Sequence, residues 1–315
     1  MPTKLVRHLA YLTPAQQGGV VTIGNFDGVH LGHQALVKAA VSAARARGVP
    51  SIVVTFEPHA FEFFAKGPVT IPRITRLREK FTALAECGVD YVVVLKFNQE
   101  LASIDASQFV SDILHQTLRP VHMIVGDDFR FGRERKGDFA LLSKMGADLG
   151  FTVEAMPTLL VDGERVSSTR VRKALQAGHL AQAERLLGRP YAMLGRVCHG
   201  DKLGQKLGFP TANIYLHRRL TPVLGIYTVY MYGLSGNQQG WPGVANVGTR
   251  PTVDGTRTLL EVHLLNFNQD IYGRYVRVEY CQKLRDEERY PNLDLLKEQI
   301  ARDVEAAIQY FKGGV

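Results

Sequence analysis

Short apolar segments alternate with helical stretches throughout the first half of this 315-residue chain. The strand-like segments are residues 20–23, 52–56, 91–95, 122–125 and 152–155, and the helix-like stretches are residues 34–47, 76–86, 106–118 and 139–149. The strand-like segments are mostly continuous apolar runs, which is typical of a parallel sheet with both faces covered. The alternation predicts a doubly wound α/β domain, in which ligands bind beyond the carboxyl ends of the strands.

The second half of the chain has a different pattern. After helical stretches at residues 169–176 and 180–187, strand-like segments follow one another across glycine-rich turns, at residues 191–198, 226–232, 243–247, 259–264 and 275–280. Strands without intervening helices predict a small antiparallel sheet or barrel. Apolar residues at every fourth position then predict one amphipathic helix over residues 293–311. We therefore expect two domains, residues 1–187 and residues 188–315.

The composition, 45% hydrophobic and 22% charged, is typical of a globular protein. The net charge of +8 raises the possibility of a nucleic-acid partner, but the basic residues are scattered and lack interleaved aromatic residues, so we expect none. No apolar run approaches the ~20 residues that span a bilayer, so we expect no membrane partner. The three cysteines are far apart and odd in number, which favours a reduced compartment and a cytoplasmic location. The oligomeric state stays open.

Residues 20–33 combine a β-branched strand, a turn with glycines and the start of a helix. In this geometry, backbone N–H groups and the positive end of the helix point to one spot, where an anion such as a phosphate is stabilised. His30 and His33 are three residues apart, so both imidazoles reach that spot from one helical face. Two ordinary helix-start histidines, or two ligands of a zinc site, are the alternatives, although zinc needs further ligands.

Two further segments of the first half carry polar side chains. Asp127 and Asp128 follow the fourth strand-like segment, where carboxylates can bind a ribose or a base, although Asp is also common in ordinary turns. Hydroxyl residues at 167–169 precede a helical stretch, as in a helix N-cap. Arginines at 170 and 172, at the same helix start, add a clamp for phosphate.

Together, these segments resemble nucleotidyltransferases that adenylylate small phosphates. Residues 24–33 are similar to the flavin adenylyltransferase form found in bacteria, and residues 55–59 and 126–132 also match that form. One departure is Asp128, where many relatives carry Asn. The resemblance implies an ATP site formed by Gly24, Asn25, Phe26, Asp27, His30, His33, Asp128, Ser168, Thr169 and Arg172, with His30, His33 and Arg172 in the chemistry. From their loop positions, we expect Phe56, Pro58 and Phe129 to contact a flat apolar flavin.

The most informative segment of the second half is residues 200–213, which are rich in glycine. It is not a Walker phosphate loop, because its lysines lack the following Ser or Thr, and it can also be an ordinary hairpin connection. If the segment is extended, Thr211 and Asn213 lie on one side. Their oxygens can then hold magnesium, which prefers oxygen ligands shared with phosphates and water.

Glu261 is a lone carboxylate in an otherwise apolar strand-like segment. An exposed strand face is the usual explanation, but a carboxylate at that place can also take the proton from an attacking alcohol. Residues 246–252 form a turn rich in side-chain donors, and residues 285–290 form a charged run of the kind that usually faces solvent.

These segments resemble riboflavin kinase, which implies a six-stranded antiparallel barrel with a C-terminal helix. In that family the Thr and Asn of the Pro-Thr-Ala-Asn sequence bind ATP and magnesium, and the strand glutamate is the general base. The resemblance thus implies Glu261 as the base and Thr211 and Asn213 as metal ligands. The wider ATP site comprises Gly200, Lys202, Gly208, Pro210, Thr211 and Asn213, and the flavin site comprises Asn246, Thr249, Arg285 and Glu288.

From about residue 18 to residue 311, the chain resembles the bacterial bifunctional riboflavin kinase/FAD synthetases. The resemblance implies riboflavin, FMN and ATP as substrates, Mg²⁺ as cofactor, and FMN and FAD as products. Two rivals remain: an adenylyltransferase for another phosphorylated cofactor precursor, which leaves the second-half motifs without a role, and a basic nucleic-acid-binding protein, whose binding would depend steeply on salt.

Overall fold

The computed structural model describes residues 2–65, 70–200, 204, 207–218, 220–252 and 255–313. The chain forms two compact units. The first comprises Met1–Ile71 and Thr75–Ser168, and the second comprises Pro72–Ile74 and Thr169–Val315. The boundary between the two units lies about twenty residues before the one we predicted between residues 187 and 188. The predicted boundary stays a prediction of where the second functional domain begins. No helix of the described ranges is long and apolar enough to span a membrane.

The first unit is built on a six-stranded parallel sheet. Its strands are β1 (Lys4–Val6), β2 (Val20–Ile23), β3 (Ser51–Glu57), β4 (Tyr91–Lys96), β5 (His122–Gly126) and β6 (Thr152–Met156). In space they run in the order β1-β4-β3-β2-β5-β6, so the winding direction reverses between β2 and β5. Ligands of doubly wound sheets bind in the crevice outside the carboxyl ends of the strands at such a reversal.

Helices cover both faces of this sheet, as predicted. They are α1 (Leu31–Arg47), α2 (Ala60–Phe64), α3 (Leu77–Glu86), α4 (Gln99–Ser103), α5 (Ala106–Gln108), a π-helix (Phe109–Leu118) and α6 (Phe139–Leu149), with short 3₁₀ turns at Leu9–Tyr11, Pro14–Gln16 and Arg133–Arg135. On one face, α1 and α3 pack against strand residues such as Val20 and Val53. On the other face, the π-helix and α6 pack against their neighbours Val21 and Val54. In the four inner strands, β2 to β5, residues that face either side of the sheet are therefore buried, which explains their continuous apolar runs.

After the sheet comes a two-stranded hairpin, β7 (Leu160–Val161) with β8 (Glu164–Arg165). Helix α7 (Ser168–Gln176) starts at the last residue of the first unit and continues in the second, where α8 (Leu180–Leu187) follows. Both helices match the predicted stretches to within one residue.

The second unit contains the closed six-stranded antiparallel barrel that the resemblance implied. Its strands are β9 (Ala192–Cys198), β10 (Ala212–Tyr215), β11 (Gly225–Tyr232), β12 (Trp241–Thr252), β13 (Gly255–Leu264) and β14 (Tyr275–Arg285). Their order is β10-β13-β12-β11-β14-β9, and β9 pairs with β10 to close the barrel. Side chains at alternate positions fill the interior, including Ile214, Ala245 and Leu260, each 0% exposed.

The C-terminal helix α9 (Leu293–Lys312) packs on this barrel. Ala307 and its neighbours contact Ile226 and Val244 of the barrel strands. A bidentate ion pair adds to this apolar contact: Arg285 Nε and Nη2 donate to the carboxylate of Asp303 at 2.9 and 2.7 Å. Asp303 is 6% exposed, and its hydrogen bonds, followed by its charge, raise the pKa of the Arg285 guanidinium.

Candidate active sites

The loop between β2 and α1 is a tight turn at the reversal point of the parallel sheet. Gly28 has a φ of 83°, and Phe26 and Val29 also have positive φ values of 49° and 43°, although neither is a glycine. Both side chains are 0% exposed, so packing compensates for a backbone conformation that ordinary residues avoid. We call residues 24–33 the phosphate loop.

The two predicted histidines lie together at the end of this loop. His30 is the N-cap of α1, and its Nδ1 accepts a hydrogen bond from His33 N at 3.3 Å. The two imidazoles stack with centroids 3.6 Å apart and 15° between their planes. A Cβ at Gly32 would lie 3.3 Å from the His30 ring, a tight contact, so glycine leaves room for the stacked ring. The geometry brings both imidazoles to the N-terminus of α1, where an anion is stabilised.

His33 is held in an apolar environment. The edge of its ring meets Phe26 with centroids 5.2 Å apart. Burial, and then the charges of His30 and Lys80, hold the pKa of His33 well below its ordinary value. Nδ1 of His33 and Oδ1 of Asn25 are both buried without a hydrogen-bond partner among the described residues. Buried polar atoms are rarely left without a hydrogen-bond partner. A ligand bound to this loop would explain why two of them have none among the described residues.

Asp27, which we predicted to be part of the ATP site, shapes the loop itself. Its side chain is 2% exposed, and Oδ1 accepts hydrogen bonds from Thr75 N at 3.0 Å and Thr75 Oγ1 at 3.3 Å. The Thr75 hydroxyl in turn accepts from Gly28 N at 2.9 Å. Ser168 reaches the same loop, since its hydroxyl donates to the Asp27 carbonyl at 2.8 Å. Sequence patterns gave no signal for Thr75, which lies 47 residues away from Gly28.

Replacing Thr75 by valine tests this arrangement. Thr75→Val leaves the buried Gly28 N–H without its acceptor, which costs about 1–3 kcal/mol in free energy of unfolding. We expect urea denaturation to detect this loss, together with a slower reaction at the phosphate loop. Thr82→Val is the matched control, because Thr82 is exposed and its hydroxyl only bonds its own helix at Arg78 O. Equal stability of the two variants would contradict the role given to Thr75.

Thr169 and Arg172 belong to the second unit. Thr169 is exposed, and Arg172 is half-buried with its Nε donating to Pro72 O at 2.8 Å. Their predicted contacts with ATP stay predictions.

The loop after β5 contains the predicted Asp127 and Asp128. Asp127 accepts hydrogen bonds from both the backbone N–H and the hydroxyl of Thr158, and the hydroxyl bond is the main reason that its pKa lies below the ordinary value. Asp128 forms an exposed ion pair with Arg165, whose Nη2 lies 2.5 Å from Oδ2. The sequence analysis did not identify Arg165. The only indication of it in the sequence is its position two residues before the hydroxyl residues at 167–169.

The predicted flavin contacts Phe56, Pro58 and Phe129 lie just after or at the carboxyl ends of β3 and β5. Phe129 stacks on Phe131 with centroids 5.3 Å apart. Phe56 belongs to a group of four aromatic residues that we call the aromatic cluster: Phe56, Phe63, Phe64 and Phe97. Their neighbouring centroids are 5.2–5.8 Å apart, and Phe64 is 59% exposed. An exposed aromatic edge of this kind suits a flat apolar ligand.

In the barrel, strand register brings three predicted residues side by side. Asn213 of β10 pairs directly with Glu261 of β13, which on its other side pairs with Asn246 of β12. Because side chains alternate between the two faces of a strand, and the flanking Leu260 and Val262 fill the interior, these three lie on the outer face of the barrel. Asn213 is 8% exposed, and Oδ1 of Asn246 is buried without a hydrogen-bond partner among the described residues.

The segment before β10 lies close to this trio. Gly200 packs against the side-chain amide of Asn213, which a Cβ at position 200 would displace. A Cβ at Gly204 would lie 3.2 Å from Thr211 Oγ1. Pro210 is held by His263, whose Nδ1 lies 2.8 Å from the Pro210 carbonyl and therefore donates to it. The predicted Lys202 lies outside the described residues. Gly208 has a φ of 91°, a conformation that favours glycine.

Thr211 and Asn213 supply oxygens of the kind that magnesium prefers. Thr211 directly precedes the short strand β10, and Asn213 is the second residue of that strand. This donor set fits a magnesium ion that is also bound by phosphates and water. Among the described residues, no group of three or more His, Cys, Asp and Glu side chains could hold a metal by itself.

The residues predicted to bind flavin in this unit have different surroundings. Asn246 Nδ2 donates to Glu287 Oε1 at 3.4 Å, so the carboxylate next to the trio is Glu287, which sequence reasoning missed. Glu288, which we predicted instead, accepts from Tyr290 at 2.9 Å and is exposed, as is Thr249. The guanidinium of Arg285 donates two hydrogen bonds to Asp303 of α9. A flavin in contact with Arg285, as predicted, would bind a guanidinium that Asp303 already holds in place.

Comparisons with known proteins match both halves of the chain. A family model described as FAD synthetase matches residues 12–170, and one described as riboflavin kinase matches residues 187–311. The bifunctional riboflavin kinase/FMN adenylyltransferase of Escherichia coli (strain K12) is 50% identical over 311 residues, covering 98% of each chain. That of Pseudomonas fluorescens is 51% identical over 306 residues, covering 96% of each. A solved structure described as a macrolide-efflux protein from Streptococcus pneumoniae is 31% identical, with a TM-score of 0.79 over 96% of this chain and 97% of that one.

Proposed function

The chain belongs to the family of bifunctional riboflavin kinase/FMN adenylyltransferases, and we propose that its two reactions use two separate sets of residues. It phosphorylates riboflavin with ATP to give FMN and ADP. It then joins FMN to the AMP part of a second ATP to give FAD and pyrophosphate. We place the first reaction on the outer face of the barrel and the second at the phosphate loop, and we keep residues 1–187 and 188–315 as the two functional domains.

The kinase assignment rests on the register of Asn213, Glu261 and Asn246. In this proposal, Glu261 takes the proton from the terminal ribityl hydroxyl of riboflavin while that oxygen attacks the γ-phosphate of ATP. Asn213 and Thr211 hold magnesium, which when bound neutralises charge on the phosphates. Asn246 orients the flavin or ribityl chain through the side-chain oxygen that is otherwise unsatisfied.

The adenylyl-transfer assignment rests on the stacked His30 and His33 at the N-terminus of α1. The phosphate of FMN is already largely dianionic at neutral pH and attacks the α-phosphate of ATP without a strong base. His30 and His33 hydrogen-bond the α-phosphate oxygens as charge develops there. The roles of Ser168, Thr169 and Arg172 in the same charge stabilisation stay part of this proposal.

For the flavin ring of FMN, we propose the aromatic cluster together with Pro58 and Phe129. These residues lie at or after the carboxyl ends of β3, β4 and β5. The carboxyl ends of the strands form the ligand-binding edge of a doubly wound sheet. Phe63, Phe64 and Phe97 join the predicted Phe56 because their rings are in contact. We keep the cytoplasmic location and the absence of a nucleic-acid partner as predictions.

The experiment that tests this function is an incubation with riboflavin, ATP and Mg²⁺, with separation of the flavins by chromatography. We expect FMN to appear first and FAD afterwards, and we expect EDTA to stop FMN formation. If neither flavin forms, the proposed function is wrong. If another phosphorylated cofactor precursor is adenylylated while FMN is not, the first rival is correct. Steeply salt-dependent binding of nucleic acid without ATP turnover would favour the second rival.

A further inference from the structure

Lys80 of α3 is a buried lysine that the reactions described above do not use. Its side chain is 2% exposed and is among the largest fully buried side chains of the described residues. Removing an ammonium group from water costs several kcal/mol unless the protein compensates for it. A lysine is therefore almost never fully buried without a specific reason.

A chain of contacts leads from Lys80 to the phosphate loop. Lys80 Nζ donates to Thr55 Oγ1 at 3.2 Å, and the Thr55 hydroxyl donates to the Asn25 carbonyl at 3.2 Å. Thr55 is 0% exposed, so water does not compete for these bonds. Asn25 precedes Phe26, whose ring meets the ring of His33. Lys80 thus supports the loop from the face of the sheet on which α1 and α3 pack.

The charge of Lys80 also acts on this loop. It is one of the causes that lower the pKa of His33, after burial and the charge of His30. Two carboxylates belong to the same elements: Asp27 of the phosphate loop accepts from Thr75 N at 3.0 Å, and Glu79 of α3 accepts from Arg76 N at 2.7 Å. Because electrostatic interactions are stronger in a dry interior than in water, a fixed positive charge here attracts a phosphate placed on the loop.

We propose that Lys80 is a positioning residue of the adenylyl-transfer site, whose buried ammonium holds the phosphate loop in shape and adds a fixed positive charge behind it. The inference rests on the proposed adenylyl transfer at this loop. Lys80 acts through Thr55 and Asn25 and through its electric field.

The test is Lys80→Met, which removes the charge and keeps most of the volume. We expect kcat/KM for ATP in the conversion of FMN to FAD to fall by about 10- to 100-fold, somewhat less than the loss of a direct donor to the reacting group. Kinase activity of the same chain stays within about twofold, since Lys80 belongs to the first unit and the proposed kinase residues belong to the second. The matched control is Lys38→Met, which removes an exposed positive charge from α1 and leaves both activities unchanged.

A second readout separates the charge from a merely structural role. NMR titration of the His33 ring in the free protein is expected to have a higher midpoint in Lys80→Met than in the wild type or in Lys38→Met. An unchanged midpoint together with unchanged FAD formation would overturn the proposal. If Lys80→Met does not fold, Lys80→Arg and Lys80→Gln replace it, since both can bond the Thr55 hydroxyl. The proposal requires the arginine variant to keep most FAD formation and the glutamine variant to lose it, and equal activities contradict it.

The wild-type protein separates this inference from the proposed function. If wild-type protein forms no FAD from supplied FMN, the adenylyl-transfer assignment fails. If the wild type is active and Lys80→Met is equally active, only the role of Lys80 fails.

Discussion

Glu261→Ala is expected to abolish the formation of FMN from riboflavin while leaving the conversion of supplied FMN to FAD intact. A positioned general base contributes about 10²- to 10⁴-fold to a rate, so the kinase reaction should fall by that factor. The physical reason is the place of Glu261 between Asn213 and Asn246 on the outer face of the barrel. The measurement is the initial rate of each reaction, started separately with riboflavin or with FMN.

Two companion variants make this result specific. Glu261→Gln keeps the shape of the side chain but cannot accept the proton, so it should behave like the alanine variant. Glu298→Ala removes a carboxylate from α9 that is 62% exposed and should leave both reactions unchanged. A glutamine variant with wild-type kinase activity would show that Glu261 is not the base.

His33→Ala is expected to have the opposite effect: FMN accumulates and FAD does not form. Loss of one preorganised donor to a developing oxyanion costs about 10²- to 10³-fold in rate. His33 meets this description because its imidazole stacks on His30 and its Nδ1 has no hydrogen-bond partner among the described residues. The measurement is the ratio of FMN to FAD after incubation with riboflavin and ATP.

The control for His33→Ala is His8→Ala, which removes an exposed histidine of the same unit. That variant should form FAD at the wild-type rate. If His33→Ala lost kinase activity as well, in a protein that is still folded, the division into two sites would be wrong.

Much of this fold could be predicted because local patterns agree with tertiary structure. Strand β2 and helices α6 and α8 have the predicted bounds, since each is a clear apolar pattern ended by a glycine. Strand β10 was missed because it has only four residues, one of which is Asn213, and so has no periodicity to detect. Its existence followed from the family resemblance alone.

The arrangement of the candidate sites depends on contacts that no local pattern contains. Glu287 and Asn246 meet because Ile226 of β11 pairs with Asn246 of β12 on one side and with Arg285, at the end of β14, on the other. This strand order cannot be inferred from periodicity. Lys80 follows Arg76, Arg78 and Glu79 at the start of α3, and nothing in this charged sequence distinguishes a buried lysine from an exposed one. Only the packing of α3 against the sheet buries it, and the contact with Thr55 crosses 25 residues of sequence.

The central claim, that two independent sites act in sequence, is tested most directly by mixing the two variants. Glu261→Ala and His33→Ala are incubated together with riboflavin, ATP and Mg²⁺, and FAD is measured by chromatography. We expect each variant alone to form no FAD and the mixture to form it, because His33→Ala releases FMN that Glu261→Ala adenylylates. A mixture that forms no FAD, although each variant retains its own half-reaction, would contradict the claim.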